Sequence, residues 1–233
     1  MTETGQESET VSDLVARRIQ QLRKDQGMAS AARLAAECSR LGAPEVTTNT
    51  IANIESGRRD SDGRRRRDVT VDELLAISAA LGVPPVALLV HPQEEHTPII
   101  GTIAVPPVEA LLWMLGEVMA NPAKYGAWSE ATIPVRLVRR FHQESTAAEN
   151  ALGMLRHPEM PEDRRDSLDK ALSHDLSRLS RTLAEMRQIG MTLPDVQPML
   201  VDEARQRGVW NQEQPTALVA DARRGGAWEA DRG

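Results

Sequence analysis

The residues best equipped for chemistry lie between 46 and 57, in VTTNTIANIESG. Read as a helix, this stretch puts Asn49, Asn53 and Ser56 on one face and Ile51 and Ile54 on the other. A carboxamide presents a donor and an acceptor side by side, matching N6 and N7 of adenine. One such bidentate contact is worth about 1–3 kcal/mol of discrimination between bases. Asn49, Asn53 and Ser56 are therefore candidates for base contact. Six arginines follow directly: Arg58, Arg59, Arg64, Arg65, Arg66 and Arg67. Each is a permanent charge whose forked donors suit phosphate oxygens. Thr47, Thr48, Thr50 and, upstream, Ser30 add hydroxyls able to cap a helix or touch a phosphate, contacts that set register without reading sequence. Against this stands the plainer reading, in which the asparagines are solvated and the arginines form an ordinary charged loop.

Composition says what scaffold must hold these groups. A chain of 233 residues suffices for one large domain or two modest ones. One Phe, one Tyr and four Trp, set against abundant Ala, Leu and Arg, favour helices, because sheets draw on aromatic and β-branched side chains. The expected fold class is all-α. A net charge of −6 argues at first against a nucleic-acid partner. Its distribution is uneven, however: −3 over residues 1–10, +4 over 11–70 (12 basic, 8 acidic) and −7 over 71–233. Salt confines the reach of exposed charge to about 10 Å, so the local excess outweighs the total. The single cysteine, Cys38, excludes an intrachain disulfide and a cysteine-based zinc site, and its place on an apolar helix face reads as core. No apolar run reaches the roughly 18 residues of a membrane span, and the acidic start TETGQESE lacks the marks of a secretory signal. The expectation is a cytoplasmic protein with no membrane partner.

Along the chain, residues 1–10 have no periodicity and read as disordered. A helix from about Ser12 carries Val15, Ile19 and Leu22 and stops at Gly27. Ser30 is placed to cap a second, with Leu34, Cys38 and Leu41 in line, ended by Gly42 and Pro44. The 46–56 helix is third. Thr70 to Glu73 form a capping box for a fourth through Leu74, Ile77 and Leu81, and 83–89 allow a short fifth.

These pieces together carry a resemblance. The run IQQLRKDQGMAS, RLAAE, VTTNTIANIESGRR and VTVDELLAISAALGVPPVALL resembles the Cro/C1-type (XRE family) helix-turn-helix domain of bacterial and phage repressors, over residues 11–91. The resemblance implies a lambda-repressor-like domain of five helices whose third, residues 47–56, lies in the major groove. It also implies a structural pairing of Glu55 with Arg23. This chain departs from the family pattern in three places. The turn at 39–45 is enlarged, and the loop holding Arg64 to Arg67 is longer than usual. Ala31 stands where many members place a glutamine, so readout leans harder on the third helix.

In the second half, 92–107 holds four prolines and reads as a linker. Residues 108–119 form an apolar stretch with Leu111, Leu112, Trp113 and Leu115, a helix that must be buried. Two long helices follow. One spans about 134–156 through Leu137, Phe141, Ser145, Ala148, Leu152 and Leu155. The other spans 162–189 through Leu168, Leu172, Leu176, Leu179, Leu183 and Met186. Their narrow seams suit a hairpin within the chain or a coiled coil between two chains. The 108–200 region is read as a dimerisation and regulatory domain, and 201–233 as a disordered tail.

No catalytic residue, metal site or cofactor is expected. His91, His96, His142, His157 and His174 lack ligand spacing, and neither a glycine-rich phosphate loop nor a nucleophile elbow occurs. Two functions remain. The first is a sequence-specific transcriptional regulator that binds double-stranded DNA, as a homodimer through its C-terminal helices, with its effector unknown. The alternative is a helical interaction module, an antitoxin or scaffold, with weakened DNA binding.

Overall fold

The computed structural model describes residues 9–61, 63, 65–101, 103–119 and 122–210. These fall into two compact units, Met1–Val118 and Met119–Gly233. The fold is all-α except for one two-stranded hairpin among the described residues.

In the first unit, α1 (Val11–Asp25) starts one residue before the expected Ser12, and the reading of 1–10 as disordered is corrected at Glu9 and Thr10. Thr10 and Asp13 form a capping box, the Thr10 hydroxyl accepting from the Asp13 amide and the Asp13 carboxylate accepting from that of Thr10. Glu9 is also ordered, paired with Arg17 at 2.9 Å; residues 1–8 lie outside those described. Next come α2 (Ala31–Arg40), α3 (Thr48–Ser56), α4 (Val71–Leu81) and α5 (Val86–Leu89). Ser30 stands at the N-cap of α2 but makes no side-chain cap. Thr70 and Glu73 close their capping box on α4, and Gly82 ends that helix at φ 65°. The apolar faces converge on one core of Val15, Ile19, Leu34, Cys38, Ile51, Ile54, Ile77, Leu81 and Leu88. Burial pushes the Cys38 thiol up to about 11, so it packs as an inert apolar group.

Residues 92–107 are not a plain linker. β1 (Thr97–Ile100) and β2 (Ile103–Val105) pair antiparallel, Thr97 opposite Val105, with an irregularity between Pro98 and Ile100. Pro98, opposite Ala104, lacks an amide hydrogen, which a two-stranded ribbon tolerates because each of its strands is an edge. α6 (Pro107–Met114) falls in this first unit, in contact with β1. Only Ala110 of it is buried; Val108 and Trp113 are exposed and Leu111 and Leu112 half-buried, so the expectation of a fully buried helix is corrected.

In the second unit, α7 (Tyr125–Leu155) and α8 (Glu162–Gln188) pair along their lengths. A short 3-10 turn, Pro122–Lys124, precedes α7. Pro134 does not start α7 but lies inside it. It sits on an exposed stretch of the helix, while Leu137, beyond it, is anchored in the core. Leu137, Ala148 and Leu152 of α7 pack with Leu172, Leu176, Leu179, Leu183 and Met186 of α8. The narrow seam is thickened from an unexpected quarter. α9 (Pro198–Gln206) adds Leu200, Val201 and Ala204, and Trp210 joins the same core. The expectation of a disordered tail from 201 is thus overturned as far as Trp210; residues 211–233 lie outside those described.

One polar cluster is sealed between the long helices. The Thr182 hydroxyl donates to Glu144 at 2.7 Å and Arg178 Nε donates to its other oxygen at 3.1 Å, with Glu144 and Thr182 both buried. A buried carboxylate satisfied on both oxygens fixes which faces of the two helices meet.

Candidate nucleic-acid interface

The enlarged turn before α3 is ordered by its own residues. Gly42 takes φ 96°, the Ala43 amide donates to the Cys38 carbonyl, and Val46, just outside the helix, is buried with Ile51 in the same core. Thr47 then caps α3, its hydroxyl accepting from the Thr50 amide at 3.1 Å. The Thr50 hydroxyl lies 3.0 Å from that of Thr47 and 3.4 Å from the Glu45 carbonyl. Thr47 and Thr50 thus spend their hydroxyls on the helix start, while Thr48 stands exposed beside them. At the other end Gly57 closes α3 at φ 56°.

Ile51 and Ile54 anchor the inner face of α3, so Asn49, Asn53 and Ser56 face outward and are exposed. Among the described residues neither carboxamide has a hydrogen-bond partner. The Ser56 hydroxyl donates back to the Asn53 carbonyl at 3.2 Å, which leaves its lone pairs outward but commits its proton. Beneath the helix, Arg23 and Glu55 meet in a two-pronged pair of 2.7 and 2.8 Å with both side chains under a tenth exposed. Arg23 also donates to the Met28 carbonyl, tying α1 to the start of α2. The pair with Glu55 holds the arginine above its already high pKa.

The arginines divide by partner. The loop after α3 folds into a small ribbon: Arg59 bridges Arg65 antiparallel, and the Arg66 amide donates to the Arg58 carbonyl at 2.9 Å. Arg65 is not a surface residue. Its side chain is only 3% exposed, bound to Asp13 at 2.8 Å, to the Arg67 carbonyl at 2.9 Å and to the Ile54 carbonyl at the end of α3. It is withdrawn from the set of phosphate contacts, because a guanidinium spent on three internal acceptors has little left to offer. Arg59 donates to the Gly63 carbonyl at 2.7 Å and reaches Asp13 at 3.3 Å. Arg67 pairs with Glu73. Arg58 and Arg66 are exposed, and among the described residues their guanidiniums have no partner. Arg64 lies outside the described residues.

Asn53, Arg58, Arg66 and Arg67 together line a cleft of about 200 Å³. The site therefore joins an uncommitted carboxamide to two uncommitted cations, a set that accepts anions and hydrogen-bonds a planar edge but holds no general base or nucleophile. Among the described residues no three His, Cys, Asp or Glu side chains converge as metal ligands, and no helix is long and apolar enough to cross a membrane. The sequence shows no sign of the ribbon beyond Gly63, which suggests a turn within a loop rich in Arg and Asp. No family model, curated protein or solved structure matches the chain.

Proposed function

We propose that this protein is a sequence-specific DNA-binding transcriptional regulator that lays α3 in the major groove and works as a dimer through its C-terminal helices. The observation that carries the reading is the outer face of α3: Asn49 and Asn53 stand exposed one turn apart, with Arg58 and Arg66 lining a cleft beside Asn53, and among the described residues none of the four side chains has a partner. Carboxamides left without internal partners are free to pair with adenine, and the neighbouring cations supply the phosphate contacts that hold a helix in register. Support for two copies comes from the size of the motif, since one short helix reads too few base pairs and such proteins bind half-sites about one helical turn apart. Selection of bound sequences from random duplexes, repeated across a salt series, tests the reading. A symmetric enriched motif with affinity falling steeply in salt is the expected result. No enriched motif, or affinity indifferent to salt, would sink it.

A further inference from the structure

Four of the described arginines after α3 form two facing pairs, Arg59 with Arg65 and Arg58 with Arg66, and the pairs are treated differently. Side chains alternate across an extended strand, so the bridged Arg59 and Arg65 leave on one side and Arg58 and Arg66 on the other. On the first side the two cations meet an anion of the protein, Asp13, which binds both. On the second side Arg58 and Arg66 stand on facing backbone positions and, among the described residues, pair with no carboxylate, although like charges directly opposite on paired strands repel. That side opens on the cleft shared with Asn53 and Arg67. Arg67 is already engaged by Glu73, which leaves Arg58 and Arg66 as the pair without an anion among the described residues.

We infer that this cleft seats a single backbone phosphate of duplex DNA, shared by Arg58 and Arg66, and that Arg65 is the positioning residue that holds them beside Asn53. The inference rests on the DNA-binding reading and adds to it that one phosphate is clamped next to the base that Asn53 contacts. Arg65 acts without touching the ligand: its three bonds tie the ribbon to α1 and to the last turn of α3.

The test uses the full-length protein and a labelled duplex, with affinity measured across a salt series. Each phosphate neutralised contributes about 0.9 to the slope of log affinity against log salt. A shared phosphate predicts that Arg58→Ser and Arg66→Ser each flatten the slope by about one and that the double variant flattens it no further. A control removing two cations elsewhere, Lys24→Ser with Arg40→Ser, should leave the slope unchanged. Arg65→Lys keeps the charge but gathers its donors on one nitrogen, losing the fork whose three nitrogens reach three separate acceptors, so it should flatten the slope as Arg58→Ser does, at unchanged net charge. Additive losses in the double variant, or wild-type slopes in the single ones, would overturn the shared cleft. A folded Arg65→Lys protein with the wild-type slope would overturn the positioning role. Titration with inorganic phosphate separates a free ligand from DNA: saturable binding that the Arg58 and Arg66 variants abolish, with their duplex slopes intact, also overturns the inference. If the wild-type protein binds no duplex at low salt, the underlying DNA reading fails instead, a result none of the other outcomes mimics.

Discussion

Arg65 and Arg66 are neighbours in sequence and opposite in use, one buried on three acceptors and the other exposed with none among the described residues. Alternation along the ribbon makes the difference, so chemistry at this site is assigned residue by residue. Asn53 has no side-chain bond to lose; Asn53→Ala should keep the fold and relax preference at one operator position by about 1–3 kcal/mol, read from a binding-site selection. Uniform weakening on all duplexes would contradict base readout. The buried Arg23–Glu55 pair behaves otherwise. Arg23→Ala strands a carboxylate that is under a tenth exposed and should cost about 3–5 kcal/mol in urea unfolding. Asp13 gives a pH signature. Burial works to raise its pKa, but hydrogen bonds from Thr10 and Arg65, with the charge of Arg59, hold it below the ordinary 3.8. A folded pKa below the unfolded one gives stability that is complete above the unfolded value and is lost as pH falls through the folded one. Acid unfolding should therefore steepen below about pH 4, and Asp13→Asn should remove that component.

At the scale of elements, α3 is defined by its ends as much as by its isoleucines. Gly57 sits at φ 56°, and a Cβ there would meet Arg65 Nη1 at 3.3 Å. Gly57→Ala combines a left-handed backbone cost of roughly 1–2 kcal/mol with pressure on the Arg65 latch, so it should lower both thermal stability and DNA affinity. In the second unit Glu144 joins α7 to α8 through Thr182 and Arg178. Glu144→Ala strands the buried Thr182 hydroxyl, a loss of about 1–3 kcal/mol that denaturant unfolding measures, whereas an unchanged midpoint would make the cluster ornamental.

For the whole molecule, two units with separate cores match a division of labour, one presenting α3 and the other built on a helical pair. α7 keeps Val135 and Val138 exposed, apolar positions that the chain's own core does not use. Sedimentation equilibrium should return twice the 25.6 kDa of one chain; a monomer at micromolar concentration would remove the dimer from the proposed function.

Periodicity and capping determined much of this in advance. The apolar lines of α1 to α4, the Thr70 box, the turn at Gly57 and the seams of α7 and α8 are short-range patterns that a helix imposes every three or four residues. Other features were decided only by tertiary contact. Pro98 and Pro134 hid a strand and the middle of a helix, because local backbone preference lost to packing against α1 and within the second core. α9 and Trp210 have a pattern too short to announce itself and gain order from the seam that they cover. The division of the described arginines was invisible for the same reason: identical side chains differ only in what folding puts opposite them, Asp13 and a helix end for Arg65, an open cleft for Arg58 and Arg66.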